Sequence, residues 1–538
     1  MQTTPNQSTP MTTEKTLTPR QKADAFLAVA TQFQLGSLPT EQRHPHTYEL
    51  ADLSRRDIKG ALRILKEIDL HVARTVAAKE PELKKLEKAI SETLRAGNKV
   101  FFYGCGATGR LSMSIEYIWR YMHKGRKEAD RVLGFMSGGD LALVHSIENF
   151  EDHPEYGARQ VRDIGFGPHD LLISTTEGGE TPSVIGATEE AARLSSRRPF
   201  FLFCNPTEVL HEQVERSRRV IENPNIEKIC LFVGNMALSG STRLQASTAL
   251  QLAAGGSLLR AAAELPGGNI AKPQYSDFIE LLRGMDLSFL EPFVEEESRI
   301  YQDKDFVLYE TDDYGITILT DTTERAPTFS LLGFENQKSS KRDPSLSYLR
   351  LPQAKDQAAA WREILLRDPI TIEWSELRAV AGHERLSGFD FSAQALEQRL
   401  RLVSPKRLHL FRIERHGVEM RFELDKHRHS LNLRGVHPLF EHLLLKCILN
   451  MHSLLVMGRL GRFESNVMTW VKPSNKKLID RSIRYVDYLL QHQGVQNVSY
   501  AEICYELFEQ AERMTPKDAV VLMTVEAIKK RIVPKPFL

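Results

Sequence analysis

Cysteine is scarce in this chain, and none of it is spaced like a metal site. The 538 residues hold five cysteines, scattered from Cys105 to Cys504, without a CxxC or a Cys/His ligand pattern. An odd, scattered set argues against a zinc site and against a disulfide framework. We therefore expect no metal and a reducing, cytoplasmic location.

An excess of one charge and long apolar runs are also missing. The balance of 71 Lys and Arg against 70 Asp and Glu leaves a net charge of +1, which argues against a nucleic-acid-binding protein and against an acidic, disordered chain. The basic stretches Lys406-Arg407 and Lys529-Lys530-Arg531 fit solvated helix ends. No run approaches the ~18 apolar residues of a membrane span, and the polar N-terminal segment does not resemble a signal peptide. We expect neither nucleic acid nor membrane as a partner.

The length predicts several domains. At ~150 residues per domain the chain has room for three or four, or for two large ones with appendages. The Thr-, Gln- and Pro-rich start predicts a disordered leader over residues 1–45. Helical, charged segments follow from about residue 50.

Five short apolar runs alternate with helix-like stretches in the first half. They cover residues 99–103, 131–136, 171–176, 199–204 and 228–233. Near-continuous apolar strands that alternate with helices indicate a parallel sheet covered on both faces. A long helix of small residues over 241–265 closes this unit, which we assign to residues 46–270.

A similar series fills the second half. Strand-like runs at 305–310, 371–374, 407–413 and 419–424 accompany helices over 356–366 and 442–458. We infer a diverged internal duplication, with a second domain over 271–470 and a helical cap over 471–538. The predicted fold class is α/β, with two tandem doubly wound parallel-sheet (αβα) domains and a C-terminal helical cap.

A glycine-rich loop follows the first predicted strand. Its sequence is Gly104-Cys105-Gly106-Ala107-Thr108-Gly109-Arg110, and a helix begins at once. Glycines let the backbone approach a phosphate, amides at the helix start point at it, and the Thr108 hydroxyl adds a donor. The loop is therefore a candidate anion cradle.

Two other interpretations of this loop stay open. A dinucleotide site would need an acidic residue ~20 positions on, but the next strand ends about 30 positions on, at Ser137-Gly138-Gly139-Asp140. The loop could also be a turn that only packs strand against helix. A Walker A loop is excluded because GK[ST] is missing, and we expect no cofactor.

A second polar loop, Thr176-Glu177-Gly178-Gly179-Glu180-Thr181-Pro182, follows the third predicted strand. In a doubly wound sheet such loops converge on the ligand crevice. Two Gly- and Thr-rich loops suit a phosphorylated sugar, although the two carboxylates of this loop would repel a phosphate beside them. Glu177 and Glu180 could face sugar hydroxyls or an arginine, or lie on a solvated turn.

With these motifs, the chain resembles a known family. FYGCGATGRL, FMSGGDLALVHSIENFED, GGETPSVIGA and LSGSTRLQASTA follow one another as in SIS (sugar isomerase) domains, over about residues 40–265. Within that family they resemble N-acetylmuramic acid 6-phosphate etherases and glucokinase regulatory proteins. LTDTTERAPTF and KCILNMHSLLVMGRLGRFESNVM continue the resemblance into the second half. The tandem layout is that of the regulatory proteins, since an etherase has one unit per chain and pairs two chains.

The resemblance implies a set of site residues. The ligand-binding positions are Gly106, Ala107, Thr108, Gly109, Glu148, Glu151, Thr176, Glu177, Gly178 and Lys446. Lys446 stands in an apolar helix, where a charge is costly unless a ligand or carboxylate pairs with it. Arg243, in the fourth motif, would orient Glu151 or the ligand, or hold structure. An enzyme of this kind would use Glu151 as its base.

The two copies have complementary defects. The etherase acid lies in a D-x-x-E motif, and its place in the first copy is Ile118; the second copy keeps the motif as Asp321 to Glu324. Glu324 would act in catalysis only if the two copies bring it to the site, and otherwise it pairs or caps at their interface. The second copy's glycine loop becomes Glu310-Thr311-Asp312-Asp313-Tyr314-Gly315, whose carboxylates repel phosphate.

These observations predict a glucokinase-regulatory-protein-like binder of a hexose or amino-sugar phosphate, similar to fructose 6-phosphate. One site in the first domain would be completed by the second. The alternative is an etherase-like lyase or a sugar-phosphate isomerase that uses Glu151. We favour binding over catalysis, with a sugar kinase as a candidate partner and a monomer that acts as a pseudo-dimer of SIS domains.

Overall fold

A computed structural model describes residues 17–33, 35–147, 150–265, 270–515 and 518–532 of the protein. The chain forms two compact units: Gly36–Met468, and a smaller unit that joins the residues before Gly36 to those from Thr469 onward.

The first half of the large unit carries an all-parallel, five-stranded sheet with the strand order β2-β1-β3-β4-β5. All five apolar runs are confirmed as strands, and β1 is buried along its whole length because both faces of the sheet are covered. After α1 (Pro19–Leu27), the elements are α2 (Leu50–Arg56), α3 (Ile58–Ala78), α4 (Glu80–Arg95), β1 (Val100–Gly104), α5 (Ala107–Met122), β2 (Val132–Met136), α6 (Pro154–Asp163), β3 (Leu171–Thr175), α7 (Pro182–Leu194), β4 (Phe200–Phe203), α8 (Thr207–Gln213), α9 (Glu215–Glu222), β5 (Glu227–Cys230) and α10 (Gln245–Ala263).

The second half carries a mixed sheet with the order β10-β9-β8-β6-β7. Strands β7, β6 and β8 are parallel, whereas β8, β9 and β10 form an antiparallel meander. The elements are α11 (Tyr275–Gly284), α12 (Leu290–Gln302), β6 (Phe306–Glu310), α13 (Gly315–Phe329), β7 (Ser347–Arg350), α14 (Gln357–Leu365), α15 (Arg378–Ala381), α16 (His383–Leu386), α17 (Ala395–Val403), β8 (Leu408–His416), β9 (Glu419–Leu424), β10 (His427–Asn432), α18 (Pro438–Arg459), β11 (Phe463–Glu464) and β12 (Val467–Met468).

Two predictions for this half are wrong. The second sheet is not wholly parallel, because short turns return β9 and β10 beside β8 and no crossover helix intervenes. The predicted strand at 371–374 is absent, since these residues have no strand conformation. Its apolar residues Ile372 and Trp374 instead pack on Phe150 of the first half.

Corresponding helices of the two halves pack against each other. Helix α5, after the first strand of the first sheet, contacts α13, which follows the first strand of the second sheet. The closing helices α10 and α18 also make contact. Helix α18 is long and apolar enough to span a membrane, but 94% of its most apolar stretch is buried inside the protein, as expected of a core helix.

The smaller unit is helical. It contains α1 and, from the C-terminal part, α19 (Lys476–His492), α20 (Tyr500–Arg513) and α21 (Val520–Ile532). A Thr18–Gln21 capping box starts α1, which packs on α20 through a Tyr505–Asp24 hydrogen bond of 2.6 Å. The predicted disordered leader is therefore wrong from Pro19 onward, and its first 16 residues lie outside the described residues.

Candidate functional site

A cavity of about 410 Å³ lies where the two halves meet. Helices α5 and α10 of the first half and α13 and α18 of the second enclose it. The lining residues are Ala107, Arg110, Leu111, Ser114, Arg243, Ser247, Gln251, Thr317, Thr320, Asp321, Glu324, Lys446 and Asn450.

Arg110 joins the two halves at this cavity. Its Nη1 lies 2.5 Å from Glu324 Oε1, its Nε donates to Thr323 Oγ1 at 3.3 Å, and its Nη2 donates to the Leu143 carbonyl at 3.2 Å. The duplication thus brings Glu324 to the cavity, where it pairs across the interface with a buried guanidinium. Of the two roles expected for Glu324, interface pairing is the one observed.

Arg243 makes the second ion pair across the interface. Its Nη1 lies 3.0 Å from Asp321 Oδ1, and its Nη2 donates to Ser453 Oγ at 3.0 Å. The other Asp321 oxygen accepts from Arg325 at 2.8 Å. All three charged side chains are buried, so Arg243 holds the interface as well as lining the cavity.

Lys446 is the cavity-lining cation that, among the described residues, has no carboxylate within ion-pair distance. Its Nζ donates to Thr248 Oγ1 at 2.7 Å and to the Arg243 carbonyl at 3.1 Å. Burial lowers the pKa of Lys446, and the nearby Asp69 partly offsets this effect. An ammonium held this way would gain from an anion in the cavity.

Positive charge exceeds negative charge in the lining. Three cations, Arg110, Arg243 and Lys446, face two carboxylates, Asp321 and Glu324. Ala107 begins α5 and lies at the cavity, so the positive end of that helix dipole faces it as well. The cavity is therefore suited to an anion that carries an uncharged, polar body.

The backbone of the glycine loop is the one expected of an anion cradle, whereas the Thr108 hydroxyl is hydrogen-bonded within the loop. Gly106 has φ +55°, a left-handed conformation that favours glycine, and a Cβ there would meet open space. Gly104 packs on the helix, since a Cβ would lie 2.4 Å from the Thr108 carbonyl carbon. Thr108 Oγ1 accepts from the Cys105 amide at 3.0 Å and donates to the Cys105 carbonyl at 2.8 Å. The hydroxyl is thus hydrogen-bonded within the loop, and its role as a phosphate donor stays a prediction.

The second loop is also braced internally. Thr176 Oγ1 shares a hydrogen bond of 3.1 Å with Thr181 and accepts from the Gly179 amide at 3.3 Å. The Gly178 carbonyl accepts from Asn205 Nδ2 at 2.9 Å. Glu180 pairs with Arg216 at 2.5 Å, so the arginine alternative holds for this carboxylate.

Glu151 lies beside the glycine loop, in a 3₁₀ turn over Phe150–Asp152. Cys105 Sγ lies 3.7 Å from its Oε2. Burial raises the pKa of the Cys105 thiol well above its usual value, and the charges of Glu151 and Glu177 add to the shift. Both carboxylates therefore flank Cys105, although neither lines the cavity. Glu148 lies outside the described residues.

Some of the predicted site residues therefore line the cavity, and others do not. Ala107, Lys446 and Glu324 line it, whereas Gly106, Thr108, Gly109, Glu151, Thr176, Glu177 and Gly178 do not. Sequence reasoning gave no cavity role to Arg110, Asp321 or Gln251. The first two stand inside recognised motifs, so their helical spacing from Ala107 and Glu324 was an available signal.

Where each copy departs from the family motifs, the carboxylates present are already held by other partners. In the first copy, Glu116 does not replace the missing acid, because it pairs with Arg120 at 2.7 Å and Arg367 at 2.9 Å. In the second copy, Glu310 pairs with Arg412 at 2.9 Å, and Asp313 accepts from the Arg415 amide at 2.8 Å.

Asp69 supplies a stability prediction. Burial raises its pKa to about 6 from 3.8, with Lys446 opposing the shift. The folded state therefore favours the protonated form, so the stability contributed by Asp69 is full below pH 3.8 and is lost as the pH rises through 6. We expect Asp69→Asn to raise the free energy of unfolding at pH 7 by about 3 kcal/mol. The gain over wild type should vanish near pH 4 in urea unfolding, and a variant that is no more stable at pH 7 would refute this assignment.

Comparisons with known proteins match part of the chain to the SIS-domain family. The model of the glucokinase regulatory protein N-terminal SIS domain matches residues 83–191. The chain is similar to N-acetylmuramic acid 6-phosphate etherase from Aeromonas hydrophila subsp. hydrophila, at 30% identity over 220 residues, 40% of this chain and 67% of the relative. The enzyme of the same name from Thermosynechococcus vestitus is 33% identical over 220 residues, 40% of this chain and 65% of the relative.

The match spans about two thirds of the length of these relatives. Among solved structures, tagatose-6-phosphate ketose/aldose isomerase from Escherichia coli covers 75% of this chain and 94% of its own, with 10% identity and a TM-score of 0.39.

Proposed function

The chain belongs to the SIS-domain family that includes the N-acetylmuramic acid 6-phosphate etherases and the glucokinase regulatory proteins, and on that premise we propose that it is a sugar-phosphate-binding regulatory protein. Its ligand is a hexose or amino-sugar phosphate, similar to fructose 6-phosphate. The ligand occupies one site, which the first SIS domain builds and the second completes.

Lys446 carries this proposal. Arg110 and Arg243 are neutralised by Glu324 and Asp321, so Lys446 supplies the excess charge in the cavity. A phosphoryl group beside its Nζ would compensate that charge, and charge-assisted bonds of this kind are the strong ones. Because Lys446 stands on α18 and Ala107 begins α5, the site would need both halves of the chain.

A regulatory role is favoured over catalysis. An elimination of the etherase kind needs a base and an acid, both correctly placed around one substrate. Ile118 occupies the acid's place in the first copy, Glu324 is held by Arg110, and Glu151 stands outside the cavity lining.

Only one anion site is proposed per chain. In the second copy, the loop that corresponds to Gly104–Gly109 carries three carboxylates where a phosphate would lie. Glu310 and Asp313 already accept from Arg412 and from the Arg415 amide. A phosphate there would be repelled and would have to displace these bonds.

Binding between two domains gives a means of regulation. A ligand that binds one arrangement of the halves more tightly shifts the population toward it. A sugar kinase is the partner class that we propose for the resulting surface. We also propose a cytoplasmic location, because all five cysteines are free thiols.

The test is a thermal-shift panel of fructose 6-phosphate, glucosamine 6-phosphate, N-acetylglucosamine 6-phosphate, N-acetylmuramic acid 6-phosphate and inorganic phosphate. At 100 times the Kd, a ligand adds ~2.7 kcal/mol to the stability of the folded state. At least one sugar phosphate should therefore raise the melting temperature by several degrees. A panel in which every compound leaves it unchanged would refute the proposal.

The etherase-like alternative is kept because Glu151 lies beside the glycine loop. We expect no release of lactate from N-acetylmuramic acid 6-phosphate, even at high enzyme concentration. Lactate release that is lost in Glu151→Gln, with sugar-phosphate binding retained, would establish the lyase instead. Lactate release that survives Glu151→Gln would also contradict the expectation, and it would assign the chemistry to another residue such as Glu324.

A further inference from the structure

The cavity has a charged end and an uncharged end. The Tyr117 hydroxyl donates to the Asp313 carbonyl at 3.3 Å, whereas Arg110 meets Glu324, so α5 and α13 run antiparallel. One turn beyond Arg110 on α5 the lining changes to Ser114, and one turn before Asp321 on α13 it changes to Thr317.

Helix α10 runs toward the same uncharged end. It starts just after Arg243, and Gln251 follows two turns later. A Cβ on Gly255, one turn beyond Gln251, would lie 3.4 Å from Ile115, the neighbour of Ser114. Gln251 and Ser114 therefore lie at the end of the cavity away from the ion pairs.

Most polar side chains at this end are already hydrogen-bonded. Ser114 Oγ donates to the Arg110 carbonyl at 3.0 Å, and Thr320 Oγ1 donates to the Thr317 carbonyl at 2.9 Å. Thr317 Oγ1 shares a hydrogen bond of 2.7 Å with His442. These hydroxyls have little donor capacity left for a ligand.

Gln251 is the exception. Its side chain is 3% exposed and lines the cavity, and its carboxamide makes no hydrogen bond to any residue that the structure describes. Gln245, on the same helix, contrasts with it, since its carboxamide accepts from the Ala237 amide at 2.7 Å and donates to the Asn235 carbonyl at 2.8 Å. A buried amide is costly to leave unpaired, so one that faces a cavity is suited to a ligand.

We propose that Gln251 determines specificity for the sugar part of the ligand. This inference rests on the proposed function and adds the ligand's orientation to it. The phosphoryl group lies at the charged end near Lys446, and the Gln251 carboxamide contacts a neutral group that both donates and accepts. Sugar hydroxyls and the acetamido group of an amino sugar have this chemistry.

Gln251→Leu tests the proposal by calorimetric titration of fructose 6-phosphate and N-acetylglucosamine 6-phosphate, with inorganic phosphate measured by competition. We expect about tenfold weaker binding of the sugar phosphate that wild type prefers. Inorganic phosphate should bind as before, because it does not reach the uncharged end. Without ligand, the variant should melt at or above the wild-type temperature, since leucine removes an unpaired buried amide.

The matched control is Gln493→Leu, the same change at an exposed position of the smaller unit, which should leave both affinities unchanged. A larger loss for the acetamido sugar would assign an amide–amide contact, and an equal loss would assign a hydroxyl. Unchanged sugar-phosphate affinity in Gln251→Leu would overturn the inference while leaving the proposed function intact. A parallel loss of inorganic phosphate binding and of melting temperature would also overturn it, because it would show a structural role. If wild type binds no sugar phosphate, the proposed function fails, and the inference fails with it.

Discussion

Lys446→Met should remove most of the thermal shift that sugar phosphates give the wild-type protein. The substitution keeps an unbranched apolar stem and removes the ammonium, which has no carboxylate within ion-pair distance among the described residues. The remaining charges in the lining, Arg110 and Arg243 against Glu324 and Asp321, then cancel. A charge-assisted hydrogen bond contributes about 2 kcal/mol, so we expect an affinity loss of at least ~30-fold.

Two features separate this effect from misfolding. Burial lowers the pKa of Lys446, which means that the folded protein bears a cost for its charge. Lys446→Met without ligand should therefore be as stable as wild type or more so. Lys446→Arg, which keeps the charge, should retain part of the shift. Equal shifts in wild type and Lys446→Met would remove Lys446 from the site.

Arg367→Met should cause a large loss of stability. Arg367 follows α14 in the second half, yet it pairs with two carboxylates of the first, Glu116 at 2.9 Å and Asp140 at 2.6 Å. Both carboxylates are 1% exposed. Without the guanidinium they would remain buried with much of their charge uncompensated, which costs about 3–5 kcal/mol. Urea unfolding followed by circular dichroism measures this difference.

Arg362→Met is the matched control for that experiment. Arg362 is on the same segment and pairs with Asp368 at 2.6 Å, but both side chains are largely exposed. Exposed ion pairs contribute little to stability, so this variant should unfold close to wild type. If Arg367→Met is no less stable than Arg362→Met, the buried contact does not hold the two halves together.

The strands of the first sheet could be predicted because burial on both faces makes each one a continuous apolar run, as in β1. Strand β10 could not, since alternate residues such as Arg428 face solvent and its pattern is mostly polar. The run around Ile372 and Trp374 has the pattern of a strand for a related reason. Its apolar residues are buried against Phe150 across the interface, and burial alone does not distinguish that packing from a sheet.

The site could be predicted only in part. Family motifs identified Ala107, Lys446 and Glu324. They did not indicate that the Thr108 hydroxyl turns back to Cys105, because loop geometry selects its partner. Gln251 belongs to no recognised motif. It is a glutamine in a helix of small residues, and only the packing of the helices shows that the described residues leave its carboxamide without a hydrogen bond.

The central claim is that the duplicated chain forms one sugar-phosphate site from both halves. Isothermal titration of wild type and Lys446→Met with the best ligand of the panel tests it most directly. We predict one ligand per chain for wild type and binding weaker by at least ~30-fold for the variant. Two ligands per wild-type chain, or one that Lys446→Met still binds with full affinity, would contradict the claim.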